Sequence, residues 1–404
     1  MMRQEMMNRH HLESDQANNT PSSSAGDVLA QNSRSAPVRM LLVGDVMTGR
    51  GIDQILPHPS RPEIHEPYIN SALEYVRLAE WAYGNIPRPV DERYIWGDAL
   101  QEIAQRDPEV LISNLETAIT TTEQYEKKGI NYRMSPDNLA ALKSAGFDCC
   151  VLANNHTLDW CVQGLRETLN SLRGAGLHTA GAGETIFEAT APAIVPLENG
   201  RALIFAVGHT DSGIPDAWAA TEDRPGISVL SDYTEASVQR IAARVAAAKR
   251  KGDIAVLSIH WGSNWGYDID FRQVWFARRL IDTGGIDIVH GHSSHHPKKC
   301  EIYKGHLIIY GCGDLINDYE GIGGHEAYRP DLALLYFPTI DPANGCVTTL
   351  DLVPMQIRHY RLRYAQYNDA VWLKKKIKPQ YPDFAPRLEI KGAHTLSMEF
   401  NQQI

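Results

Sequence analysis

Residues able to ligate a metal or to move a proton recur in this sequence at one kind of place, directly after a short apolar run. Asp45 follows RMLLVG in GDVMTGR, Asn114 and Glu116 follow EVLIS in SNLET, and Asn154, Asn155 and His156 follow FDCCVLA in ANNHTLD. IAVLSIH ends on His260 ahead of WGSNWGY, IDIVH passes into Gly291, His292, Ser293, Ser294, His295 and His296, and HLIIYG precedes Cys312, Gly313 and Asp314. Taken singly, each has an ordinary structural use: an Asp after Gly closes a turn, a Glu starts a helix, and a strand-end His hydrogen-bonds its neighbours. Three histidines within the five residues HSSHH have little structural use unless they bind something. The joint pattern is what points to a site. Imidazole, carboxylate and amide ligands without a thiolate suit divalent Mn, Fe or Zn rather than a cysteine-type structural zinc. Two such ions sharing an acidic residue lower the pKa of a bound water toward about 7, which yields a nucleophile or base at neutral pH.

The elements that must position these groups follow from the same runs. Seven apolar segments, at residues 39–44, 109–113, 147–153, 202–208, 254–260, 286–290 and 306–311, alternate with amphipathic stretches, the sequence form of a buried sheet flanked by helices. Ligand-capable residues at strand ends share one crevice in such a sheet. The clearest helix runs from Thr234 to Arg250, with Val238, Ile241, Ala242, Val245 and Ala248 on one stripe and Gly252 as the stop. Phe271 to Thr283 has the same form, and Ser135 before Pro136 and Asp137 reads as a cap. Residues 58–100, rich in proline and weak in period, read as an excursion before the second strand.

Residues 1–36 lack any hydrophobic period and are expected to be a disordered tail, followed by a main domain over 37–345 and a C-terminal strand and helix extension over 346–404 that includes a helix at about 368–377. The formal charge of -10 and pI near 5.9 give no electrostatic footprint for nucleic acid. Neither a secretory signal nor an apolar run long enough to span a membrane is evident, so a cytoplasmic protein with no membrane span is expected. The cysteines Cys149, Cys150, Cys161, Cys300, Cys312 and Cys346 form no Cys-x-x-Cys pair and are expected to be buried, reduced thiols.

In order and spacing, GDVMTGR, NLET, ANNHTLD, IHWG, GHSSHH and GCGDLINDYEG resemble the motif series of the CapA-type poly-gamma-glutamate capsule-synthesis family over residues 38–335. The resemblance implies an α/β fold of the metallophosphoesterase (calcineurin-like) type, a four-layer α/β/β/α sandwich, here with a small C-terminal appendage. It also implies roles. Asp45, Glu116, Asn155, His260, His292 and His295 match the metal-ligand positions for one or two divalent ions, with His296 the neighbouring alternative to His295. His156 matches the histidine that faces the substrate. Phosphoesterases of this fold carry Asp-x-His at the first strand, whereas Asp45 is followed by Val46 and Met47, so one metal position loses an imidazole. Family members with capsule roles carry an N-terminal anchor, which has no counterpart in the apolar pattern here.

Arg50, Arg133, Trp261 and Trp265 are substrate-side candidates, because arginine offers a planar fork to carboxylate or phosphate and the tryptophans closely follow a ligand histidine. His209, Asp314 and Asp318 also lie near strand ends and are lesser candidates. Three functions fit: a metal-dependent hydrolase acting on a phosphoester or a carboxylate-rich amide, an acid/base enzyme such as a peptide epimerase, and a non-catalytic accessory that holds an acidic polymer. The expected substrate is a small molecule, peptide or polymer with acidic groups.

Overall fold

The computed structural model describes residues 36–377, 388–392 and 395–399, so the tail expected over residues 1–36 lies, except for its last residue, outside the described residues. Each apolar run forms a strand: Val38–Val46, Val110–Leu115, Cys149–Val151, Gly200–His209, Ile254–His260, Ile288–His292 and His306–Ile309. Most are buried along nearly their whole length, as strands covered on both faces must be.

Two sheets carry them. In the larger, Val38–Val46 lies parallel to Val110–Leu115, which is followed by Cys149–Val151 and His178–Ala180. On its other side Val38–Val46 pairs antiparallel with Leu332–Asp341, which pairs in turn with Cys346–Ile357. The smaller sheet sets Gly200–His209, Ile254–His260, Ile288–His292 and His306–Ile309 side by side and parallel.

Side-chain alternation along these strands defines the layers. Met40 and Leu42 meet Ile204, Val256, Ile288 and Leu307 of the other sheet in a core between the two sheets. Leu41 and Val43 point the opposite way, onto Val76 and Ala79 of the helix Leu73–Tyr83 and Leu165, Leu169 and Leu172 of the helix Cys161–Gly174. Across the smaller sheet, Ala255, Leu257 and Ile259 pack on Val238, Ile241 and Val245 of the helix Glu235–Ala248 and on Phe276 and Leu280 of the helix Phe271–Asp282. The result is an α/β/β/α sandwich. Each fully buried Leu, Ile or Val contributes about 1.5–3 kcal/mol, so the docking of the two sheets is set by many small terms acting together.

Both helices read from their apolar stripes are present, and each is capped by the residue before it. Thr234 accepts a hydrogen bond from Ser237 N, and Asp270 accepts one from Arg272 N. The excursion at 58–100 is more ordered than its prolines suggested. It contains the helix Leu73–Tyr83, whose buried stripe is only Tyr75, Val76 and Ala79, too short to give a clear period.

The boundary expected between residues 345 and 346 lies within a strand pair. It falls in the turn of a hairpin, because Cys346–Ile357 pairs with Leu332–Asp341 along its length, so the C-terminal segment extends the large sheet and is not a separate body. All six cysteines are unpaired, but Cys161 and Cys346 are partly exposed rather than buried. Among the described residues no helix is long and apolar enough to cross a membrane.

Candidate metal centre

Sheet register assembles the site. Asp45 sits at an irregularity near the end of its strand, flanked in register by Asn114 on one neighbour and Asp314 on the other. Close approach requires Gly44, since a Cβ there would lie 1.7 Å from the Gly313 carbonyl oxygen. In the facing sheet His260 and His292 are direct register partners. Ser293 follows at a φ of 101°, a strained conformation for a residue with a side chain, and its N–H donates to Asp45 Oδ2 at 3.2 Å. Such strain costs about 1–3 kcal/mol and persists where the surroundings hold it.

Asp45 belongs to two groups of ligand atoms. With His260 and His292 it forms one buried triad, and with His295 and Asp314 a second. The Nδ1 atoms of His260 and His292 lie 2.9 Å apart, and His292 Nδ1 is 3.7 Å from Asp45 Oδ1. His295 Nδ1 lies 2.9 Å from Asp314 Oδ1. Glu116 Oε1 is 3.8 Å from His260 Nε2, and Asn155 Oδ1 is 3.0 Å from the same nitrogen. All six residues named as ligand candidates therefore converge, and Asp314 joins them. His295, not His296, faces the carboxylates: His296 turns Nδ1 toward the Pro297 carbonyl and packs its ring against Tyr267 and Tyr328.

The electrostatics are those of a site built around positive charge. Burial, followed by the Asp314 carboxylate, raises the Asp45 pKa to about 7. Burial and the charge of Asp45 raise Glu116 well above the usual carboxylate range, and Glu116 Oε2 is buried without a hydrogen-bond partner. Burial pushes His260 and His292 well down, so both are neutral and ready to donate a lone pair. Burial also opposes charge on His295, but Asp314 outweighs it and the pKa is raised. Three crowded carboxylates with neutral imidazoles are a donor set that could hold divalent cations.

His156 lies beside these groups. Its Nδ1 is 2.7 Å from Asp159 Oδ2, and its Nε2 is 3.7 Å from Glu116 Oε1. Asp159, three residues later in ANNHTLD, accepts from Nδ1–H and directs Nε2 toward the centre. Lys128 Nζ stands 2.6 Å from Asp159 Oδ1 and 3.3 Å from His156 Nδ1. The nearer carboxylate fixes the Nδ1 proton. Burial lowers the His156 pKa to about 4.

The substrate-side candidates divide. Arg50 is buried, donates to both Asp318 oxygens at 3.1 and 2.5 Å and to Glu66 at 2.9 Å, and lies between the rings of Tyr75 and Tyr132. Arg133 stacks on Trp160 and donates to the carbonyls of Thr122 and Arg61. Trp261 is 1% exposed, its Nε1 donating to the Tyr310 carbonyl inside the helix-side core. All three are engaged by other groups of the protein. Trp265 remains partly exposed, 5.3 Å from the His295 ring and stacked on His325 at 3.8 Å. Asp318 belongs to the Arg50 pair, and His209 accepts from Asp211 N and stacks on Tyr233.

Known proteins are similar to this chain. The family described as bacterial capsule synthesis protein PGA_cap matches residues 39–319, which covers every ligand candidate from Asp45 to Asp314. The chain belongs to that family. It is 48% identical to a probable polyglutamine synthesis accessory protein of Mycobacterium tuberculosis over 84% of this chain and 90% of the relative. It is 26% identical to the capsule biosynthesis protein CapA of Bacillus anthracis over 79% of this chain and 67% of the relative. Among solved structures, a phosphatase of Mycoplasma pneumoniae aligns over 80% of this chain and 94% of its own, with 12% identity and a TM-score of 0.43.

Proposed function

We propose that this capsule synthesis family member is a metal-dependent hydrolase acting on a phosphoester or on an amide of a carboxylate-rich peptide or polymer. The observation that carries the reading is the sharing of Asp45 by two buried ligand triads. A structural ion needs only about four saturating ligands, and the surplus here suits two ions with positions left for water or substrate. Asp45, His260 and His292 would hold one ion, and Asp45, His295 and Asp314 the other, with Glu116 and Asn155 beside His260. Bound Mn, Fe or Zn would supply Lewis acidity and an acidic bound water.

The remaining chemistry belongs to the chain. His156 presents Nε2 to the centre and is neutral, so it is placed to take or return a proton there. Asp159 holds its tautomer, and Lys128 offsets the Asp159 charge. Trp265, beside the His295 ring, and Asn155, beside His260 Nε2, are both partly exposed. A polymer of amino acids as substrate is supported by the name of the mycobacterial relative, a probable polyglutamine synthesis accessory protein. That same name favours a second reading, an accessory that binds such a polymer without turnover.

The test pairs metal-loaded wild type with His156→Ala on phosphomonoesters, phosphodiesters and gamma-glutamyl peptides, following solvent deuterium uptake at Cα in the same samples. Hydrolysis lost in the variant supports the proposal. Deuterium uptake without cleavage replaces it with an epimerase, and tight binding of polyglutamate with no turnover replaces it with the accessory.

A further inference from the structure

Behind the first triad lies a hydrogen-bond chain that no ligand assignment uses. His290 Nε2 is 2.9 Å from the Val43 carbonyl oxygen, which reaches it from the opposite sheet. His290 Nδ1 is 3.1 Å from Ser258 Oγ, and Ser258 Oγ is 2.8 Å from His292 Nε2. All three side chains are at most 1% exposed. His290 and Ser258 are direct register partners on adjacent strands, so their alignment is set by the sheet itself.

The direction of this chain follows by elimination. A carbonyl oxygen only accepts, so His290 Nε2 must carry the proton. His290 is fully buried and its two ring nitrogens meet the Val43 carbonyl and the Ser258 hydroxyl, so no carboxylate balances a charge on the ring and it is neutral. Its Nδ1 then has only a lone pair and accepts from the Ser258 hydroxyl. With its proton committed, Ser258 Oγ can serve His292 only as an acceptor, so His292 Nε2 is the protonated nitrogen. His292 Nδ1 is left with a lone pair, facing Asp45 Oδ1 at 3.7 Å and His260 Nδ1 at 2.9 Å. The reverse order would set two acceptors against each other at Val43.

We propose that Ser258 and His290 are positioning residues that carry the polarity of the Val43 carbonyl to His292 and fix it as an Nδ1 metal ligand. The ligand state of one sheet is thereby tied to the docking of the other. The inference rests on the metal-centre reading above, but the tautomers it specifies exist without metal.

Long-range proton–nitrogen correlation on the chelated, 15N-histidine-labelled wild type reads them directly. Nε2–H on both His290 and His292 is expected, and Nδ1–H on His292 overturns the proposal. Calorimetric titration with manganese(II) reads the consequence. Ser258→Ala should bind about 10–100-fold more weakly, the range for losing an outer-shell partner. His290→Phe should lose a similar factor, and the double variant little more, because the two act in series. Losses that multiply, or a folded Ser258→Ala that binds like wild type, overturn it. If a variant fails to fold, the wild-type tautomers still decide. Wild type that binds no manganese would overturn the metal centre, and with it the ligand role given to His292, whatever tautomers it shows.

Discussion

The Asp159 carboxylate lies 2.7 Å from His156 Nδ1, which leaves Nε2 as the nitrogen that faces Glu116. Asp159→Asn keeps the shape but replaces an acceptor with a group that can donate, so the imidazole proton can move to Nε2 and the base is lost. Turnover is expected to fall by about 10²–10⁴, with metal content unchanged, since Asp159 touches no ligand triad. Steady-state rates and elemental analysis on the same preparation check both halves. An unchanged rate would remove His156 from the mechanism.

Arg50 is expected to act on stability rather than on substrate. Its side chain joins Asp318 and Glu66, each with 0% side-chain exposure. Arg50→Ala would bury two carboxylates without their partner, a change that costs about 3–5 kcal/mol. Denaturant unfolding should show that loss. A variant as stable as wild type but with a raised KM would return Arg50 to the substrate side.

How far the sequence could be read depended on whether the deciding interaction was local. Strand positions and the clustering of ligand-capable residues at strand ends were legible, because apolar runs and the residues after them lie together in the chain. Asp314 was only a lesser candidate in the sequence, because the parallel pairing that sets its strand beside Asp45 joins positions far apart in the chain. Arg50 and Arg133 were chosen by residue type, while the partner that fixes Arg50, Asp318, lies 268 positions away. Trp261 could have been placed correctly: the period of two puts Leu257, Ile259 and Trp261 on one face, and His260 on the other. Asp159 was also within reach, three residues from His156 in a motif already singled out.

Acid and alkali should act oppositely on the chelated protein. The folded pKa of Asp45 is raised to about 7 from 3.8 and that of Glu116 is raised as well. The folded state therefore holds extra protons above the unfolded carboxylate range, and the stability this brings is lost as pH rises through about 7. The lowered pKa values of His156, His260, His290 and His292 have the other sign: unfolding takes up protons below 6.5, so stability is lost as pH falls. Thermal unfolding of the metal-free protein should show a maximum near pH 6.5–7. Lowering the pH from about 8 to 7 should raise Tm, through the protons that Asp45 and Glu116 keep in the folded state. Asp45→Asn should flatten the alkaline limb, and a limb that is unaltered would show that Asp45 does not titrate there.

The sharing of Asp45 makes metal stoichiometry diagnostic. If its two oxygens serve both triads, Asp45→Ala should strip both ions, whereas His260→Ala should lose only the ion held with His292, and Asp314→Ala only the ion held with His295. Single-site variants should therefore retain close to half the metal of wild type, and the pair His260→Ala with Asp314→Ala should match Asp45→Ala. Burial sharpens the contrast, because Asp45, His260, His292 and Asp314 are each at most 2% exposed and water cannot readily replace a missing ligand. Elemental analysis after dialysis against manganese(II) gives the counts, and circular dichroism shows whether each variant is folded. Retention of one ion by folded Asp45→Ala would mean that the two triads are independent sites. Wild type holding a single ion that His260→Ala removes and Asp314→Ala spares would reduce the centre to its first triad, leaving His295 and Asp314 as a buried charge pair.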